Sequence, residues 1–198
     1  RNFFVLLNRA RSNAAFGRMP GSIDNVLRVV HEMLLLRGYA VERTESPLSV
    51  DFEDRRAGVL CRVLVTVDKI YSCNIIQFMS TLRAAGNRRG ILVVSAATQA
   101  AISVPESQGL DMELMLFEHL AINPTKHRLV PLHELVDQDT ARSVASKMGL
   151  ANLPVLNVND PVARFLGFRK GTVVRISRGA HSMAMNNIFA IDCYRIVR

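Results

Sequence analysis

Cysteine is scarce: Cys61, Cys73 and Cys193 are the only three, an odd number with no CxxC spacing. Neither a disulfide framework nor a zinc site is supported, so buried thiols in a reducing compartment are expected. Long apolar runs are also missing. The run nearest the start, Phe3 to Leu7, stops at Asn8 and Arg9, which is too short for a signal-peptide core or a membrane span. The sequence has no Walker motif, no GxGxxG and no GxSxG, which removes the usual nucleotide-binding and serine-hydrolase signatures. Zinc-finger spacing and the aromatic-interleaved RNA-binding signature are absent too, and so are internal repeats. His127 and His133 do not fall on one helical face and have no third ligand nearby. His133-Glu134 lacks the second histidine of a zincin, because Asp occupies position 137. Structural histidines in a polar turn are the expectation.

What is present is enough for a packed core: 198 residues, 49% of them apolar, fit one large domain or two small ones. The chain begins at Arg1 rather than at methionine, as a portion of a longer protein would. The net charge of +8 is unevenly spread. Up to Ile122 there are 14 Lys and Arg against 12 Asp and Glu, whereas from Asn123 onward there are 11 against 5. The C-terminal third therefore carries most of the excess, and such a surface suits nucleic acid or an acidic protein partner.

Along the chain, residues 1–21 are irregular and Arg-rich. Ser22 can cap a helix in which Ile23, Val26, Leu27, Val30, Met33 and Leu34 recur at three and four, closed by Gly38. Ala40 to Phe52 has room for a short strand, and Val59 to Val67 reads as a buried strand. A helix follows over Ser72 to Ala85, stopped by Gly86, and a second short buried strand over Ile91 to Val94. Asp111 to Ile122 fits both periods, and a strand is favoured because Asn123-Pro124 ends it abruptly. That proline marks a domain boundary. Beyond it, Asp137 caps a helix to about Met148, with Ala141, Val144, Ala145 and Met148 inward and Gly149 at its end. Val155 to Val158, Thr172 to Ile176 and Ile188 to Val197 read as strands. Asp160 before Pro161 starts a short turn that Gly167 closes. The fold class is α/β, with domains at 1–122 and 123–198.

The densest pattern lies after Asn123: His127-Arg128-Leu129-Val130-Pro131-Leu132-His133, Leu153-Pro154, Asp160-Pro161-Val162-Ala163-Arg164, Gly171, Arg178 and Tyr194-Arg195. In order and spacing it resembles the C-terminal assembly domain of the shared jaw subunit of eukaryotic nuclear RNA polymerases, a domain that by itself makes up the whole of the corresponding archaeal RNA polymerase subunit. Residues 1–122 resemble the family's nuclease-like α/β jaw domain in their order of elements. The chain departs from the family after Arg178, where Gly179 to Met185 replaces a shorter turn, and at Thr98-Gln99-Ala100-Ala101, which stands in place of Thr-Pro-Ser-Ala. It reads as a divergent copy.

The resemblance implies a non-catalytic subunit of a nuclear DNA-directed RNA polymerase that docks on the largest subunit and its neighbours. His133, Arg164, Arg178 and Arg195 are the implied partner-binding residues. Thr98 and Gln99, in the loop after the Ile91 to Val94 strand, are implied to lie near downstream duplex DNA, with Arg88 and Arg89 before that strand as further contacts. The two groups stand about 10 to 13 Å apart at strand rise. Contact with DNA would be weak and sequence-independent. No cofactor, metal, membrane or small-molecule substrate is expected, and the location is the nucleus, or the nucleolus if the subunit is dedicated to the class I polymerase.

Two other functions fit less well. A free-standing basic DNA-binding adaptor would account for the charge alone. A metal-dependent nuclease needs two carboxylates and a lysine converging on one strand. The strand offers only Val67-Asp68-Lys69, whose neighbours point to opposite faces, and Asp51, Glu53 and Asp54 read as an acidic loop.

Overall fold

The computed structural model describes residues 23–41, 49–54, 59–84, 89–107, 112–178 and 191–198. The expectations for Ser22, Gly86, Arg88 and the Gly179 to Met185 segment lie outside them. The chain divides into two compact units, Arg1–Ile122 and Asn123–Arg198.

In the first unit the periodic segment forms α1 (Ile23–Leu36), burying Val26, Val29, Val30, Met33 and Leu34. Gly38, at φ 79°, ends it in the left-handed region that glycine adopts without a Cβ penalty. Strands β1 (Tyr39–Val41), β2 (Ser49–Asp54) and β3 (Val59–Ile70) pair antiparallel, and β4 (Arg89–Ala97) and β5 (Met112–Leu116) join in parallel, in the order β1-β2-β3-β4-β5. Helix α2 (Ser72–Ala84) makes the crossover from β3 to β4, and α3 (Gln99–Ser107) the crossover from β4 to β5. Both pack on one face: Ile75, Phe78, Met79, Leu82, Ala101 and Val104 meet Leu64, Leu92, Val94 and Met112. The alternate residues Val63, Val65, Ile91 and Val93 are fully buried on the other face. The central strands are apolar on both faces for this reason, as parallel crossover sheets require.

Gly90 shows how closely α2 approaches. A Cβ there would lie 2.3 Å from Leu82 Cδ1 and 2.9 Å from Phe78 Cε1.

The second unit has a four-stranded sheet ordered β6-β8-β9-β7, from β6 (Leu132–Leu135), β7 (Val155–Leu156), β8 (Val173–Arg178) and β9 (Ile191–Val197). The β6/β8 and β8/β9 pairs are antiparallel, and β7/β9 is parallel. One face carries Val173, Tyr194 and Ile196 against Leu153 and, from α4 (Gln138–Met148), Ala141 and Val144. On the other, Val174, Ile176 and Val197 pack with Ala163 of α5 (Pro161–Leu166), Leu156 and Phe168. The sheet is thus sandwiched between two short helices.

Several expectations need correction. Thr98 and Gln99 are not at a loop tip but at the start of α3, a helix whose small residues and internal Pro105 gave no apolar period. Asp51, Glu53 and Asp54 belong to β2 rather than to a loop. His133 sits on β6, not in a polar turn. Met148 is exposed, because α4 has reached its last turn by then. The Val155 strand covers only two residues, while β3 and β4 outrun their expected ends.

Candidate assembly and DNA-proximal surfaces

In the second unit the local chemistry of Asp160-Pro161 sets the geometry. The Asp160 carboxylate accepts hydrogen bonds from the amides of Val162 (2.8 Å) and Ala163 (3.3 Å), and Pro161 supplies a preset φ at the first helical position. Gly167, left-handed at φ 69°, closes the helix, with its amide 3.2 Å from the Arg164 carbonyl. Val162, Ala163 and Phe165 are buried, which fixes the direction from which the half-buried Arg164 leaves α5.

Strand register places the other implied partner-binding residues. His133 is opposite Ile176, which is opposite Cys193; Leu135 is opposite Val174, which is opposite Arg195. Directly paired residues share a face, so His133, Arg195 and Arg178, two positions beyond Ile176, are on the side where α5 packs. The structure gathers the four residues on one side of the sheet without joining them in one contact. His133 Nδ1 donates to the Pro131 carbonyl at 2.7 Å, since a carbonyl can only accept. His127 Nδ1 instead accepts from the Leu129 amide at 3.3 Å. Each imidazole bonds the backbone two residues away, and among the described residues no group of three or more His, Cys, Asp and Glu could hold a metal.

Arg195 is partly spent inside the unit. One terminal nitrogen donates to the Val155 carbonyl at 3.2 Å, while Nε is buried with no partner among the described residues. Tyr194, one residue earlier, faces the α4 side and packs on the core there. On that face Arg175 and Glu134 form a cross-strand ion pair at 2.6 Å, and this bond raises the arginine's pKa further above its ordinary range. Sequence reasoning missed the pair because β6 itself gave no signal.

In the first unit Thr98 is the cap of α3. Its hydroxyl accepts from the Ala101 amide at 3.3 Å, its carbonyl from Ile102 at 3.0 Å, and its own amide donates to the Ile70 carbonyl at 3.1 Å. The start of α3 is thereby tied to the end of β3, one residue before Tyr71 and the start of α2. Gln99 is exposed there. Arg89 does not share this location. It is half-buried at the opposite end of β4, where it donates to Tyr39 Oη at 3.2 Å, and nine residue steps separate it from Thr98, roughly 30 Å at strand rise. The shorter spacing expected from the sequence fails because β4 is longer than Ile91 to Val94.

Asp68 and Lys69 also differ from expectation in one respect. Thr66 pairs with Val94 but Lys69 with Ala96, so β3 carries one extra residue, a bulge that interrupts strict alternation. The two side chains still part company. Asp68 accepts from the Thr66 hydroxyl at 3.4 Å, and the Lys69 ammonium lies 6.0 Å from the Tyr71 ring centroid.

Comparison with known proteins finds relatives of the second unit above all. The family described as RNA polymerase Rpb5, C-terminal domain, matches residues 122–197. The chain is 30% identical over 117 residues to the rpabc1 subunit of DNA-directed RNA polymerases I, II and III of Dictyostelium discoideum, covering 56% of this chain and 59% of that protein. It is 31% identical over 61 residues to DNA-directed RNA polymerase subunit Rpo5 of Sulfurisphaera tokodaii, covering 30% of this chain and 73% of that protein. The match to DNA-directed RNA polymerase subunit 5-like protein 1 of Arabidopsis thaliana is longer, 27% over 185 residues, covering 79% of this chain and 88% of that one. Among solved structures, a repair endonuclease from Pyrococcus abyssi aligns at 20% identity over 51% of this chain and 47% of that one, with a TM-score of 0.34. The matched segment coincides with the unit built on the Pro131-His133 strand and the Asp160-capped helix, and the chain belongs to the family of RNA polymerase subunit 5.

Proposed function

We propose that the chain is a non-catalytic structural subunit of a nuclear DNA-directed RNA polymerase. The observation that carries this reading is the family match over residues 122–197, which spans the unit holding His133, Arg164, Arg178 and Arg195. Through that unit the chain docks on the largest subunit and its neighbours, with the α5 side of the sheet toward the partner. The first unit forms part of the jaw beside downstream duplex DNA, with Thr98 and Gln99 nearest to it. Those two residues begin a helix, where amides without intrahelical partners favour a phosphate over a base edge, so contact is weak and independent of sequence. The protein works in the nucleus, and in the nucleolus if it serves the class I polymerase.

Co-expression of the tagged chain with the largest polymerase subunit tests this reading. Recovery of the two together at a fixed ratio is the expected result. A folded chain that binds DNA but never retains the subunit would instead be a separate DNA-binding adaptor. For the jaw, a photocrosslinker at Gln99 in assembled polymerase should reach downstream DNA. Crosslinks from other jaw positions with none from Gln99 would remove α3 from the path of the duplex.

A further inference from the structure

We infer that strand β6 is where the docking partner adds an extended segment, as a fifth strand of the second unit's sheet. This rests on the docking reading above and deepens it, naming the edge and the kind of segment. The sheet order leaves β6 paired on one side only, with β8. Just past its end the Val136 amide donates to the Val173 carbonyl at 3.2 Å, and bonded positions alternate along an antiparallel pair. Leu132 and Glu134 therefore turn their backbone groups toward β8, whereas His133 and Leu135 turn theirs to the open side. Each of these two offers one N–H and one C=O there, and among the described residues no hydrogen bond reaches them. The open stretch starts at His133, because the Pro131 carbonyl is already taken by His133 Nδ1.

Edges that stay bare are usually defended by lysine, proline or an inward charge. Strand β6, Leu-His-Glu-Leu, has neither lysine nor proline, and its carboxylate, Glu134, is held by Arg175. The side chains beside the open groups are apolar instead: Leu132 is 39% and Leu135 45% exposed. Such an edge specifies an extended peptide, whose own amides and carbonyls complement both kinds of open group, with a β-branched or other apolar residue beside Leu135. A phosphate backbone has no donor for the carbonyls of His133 and Leu135. Because the unit has 11 basic residues against 5 acidic from Asn123 onward, the segment is one without an excess of lysine or arginine. His133 and Leu135 also share the α5 side of the sheet, through Ile176 and Val174, so the edge continues the proposed docking face.

The direction of the Leu135 amide makes a clean test. Leu135→Pro removes an outward donor and obstructs an incoming strand without breaking a bond to β8, while Leu135→Thr removes the apolar side chain and keeps the amide. The full chain and both variants are compared for recovery of the co-expressed largest subunit, with thermal melting and sedimentation of each chain alone. The two variants should melt alike, and Leu135→Pro should retain about tenfold less subunit than Leu135→Thr. In the parent complex, hydrogen exchange at the His133 and Leu135 amides should slow by about tenfold or more relative to the free chain. Equal recovery by the two variants, or amides that exchange in the complex as fast as in the free chain, would overturn this inference alone. Failure of the parent to retain the subunit would defeat the docking reading and this inference with it. A parent that sediments as a dimer, with Leu135→Pro a monomer, would give the edge to a second copy of this chain and overturn the inference as well. If Leu135→Pro melts early, Leu135→Lys, which defends the edge while keeping the amide, replaces it and is judged by the same outcomes.

Discussion

Arg37, its side chain only 2% exposed, grips Glu113 with two hydrogen bonds of 2.8 and 3.0 Å, joining the end of α1 to the edge strand β5 across 76 residues of sequence. Glu113 is the register partner of Ile91, so the contact lies on the face opposite α2 and α3. Glu113→Ala leaves a buried guanidinium without its carboxylate and should cost about 2 to 4 kcal/mol in chemical denaturation, the lower part of the range reflecting the partial exposure of Glu113. Arg37→Met with Glu113→Leu should recover part of that loss. A double variant no better than Glu113→Ala would argue against an uncompensated charge as the cause.

Gly90→Ala should destabilise the first unit by about 1 to 3 kcal/mol, because the added methyl collides with Leu82 and Phe78. Adding Leu82→Val should relieve some of the clash, which differential scanning calorimetry of the two variants would show.

Arg89→Ala should lower stability by about 1 to 2 kcal/mol through the lost bond to the half-buried Tyr39 hydroxyl. Burial pushes the Tyr39 pKa up, while Arg37 and Arg89 pull against it; the tyrosine should therefore titrate at still higher pH in the variant. The salt dependence of DNA binding should be unchanged, since this arginine is turned inward. A slope reduced by about one unit would return Arg89 to the DNA surface.

Asp160→Ala should cost about 1 kcal/mol, the value of an N-cap whose oxygen serves two amides. Asp160→Asn, which can still accept, should cost much less. Equal losses for both would point away from capping.

Asp137 gives a pH signature. The Thr140 amide, and then its hydroxyl, hold the carboxyl below its ordinary pKa. A depressed carboxylate pKa contributes stability that is present above the unfolded value and is lost as pH falls through the folded one. Asp137→Asn should therefore flatten the acid limb of the stability profile by lowering stability at neutral pH, where the charged carboxylate contributes, while leaving strongly acid pH nearly unaffected. An acid limb of unaltered slope would assign that dependence to other carboxylates.

Where apolar period and capping agreed, sequence predicted structure well: α1 with Gly38, α4 with Asp137 and Gly149, and the Asp160-Pro161 turn all lie where the residues place them. Local signals failed at α3, whose Ala and Ser residues carry no period and whose Pro105 argues against a helix. They failed again at β6, four residues with no buried member. The long-range pairs, Tyr39 with Arg89 and Glu134 with Arg175, were out of reach because nothing local links residues 50 and 41 positions apart.

The Arg195 guanidinium has a consequence for how the second unit behaves beside other chains. Ile196 and Arg198 donate to the carbonyls of Pro154 and Leu156, so the Val155 carbonyl between them turns to the open side of β7, and that is the oxygen Arg195 takes. An incoming strand would need the same acceptor to continue the ladder, and it finds the position filled by a charged side chain of the sheet's own next strand. The arginine works as a chain terminator for the sheet, favouring side-chain docking over strand addition along this border and discouraging edge-to-edge aggregation.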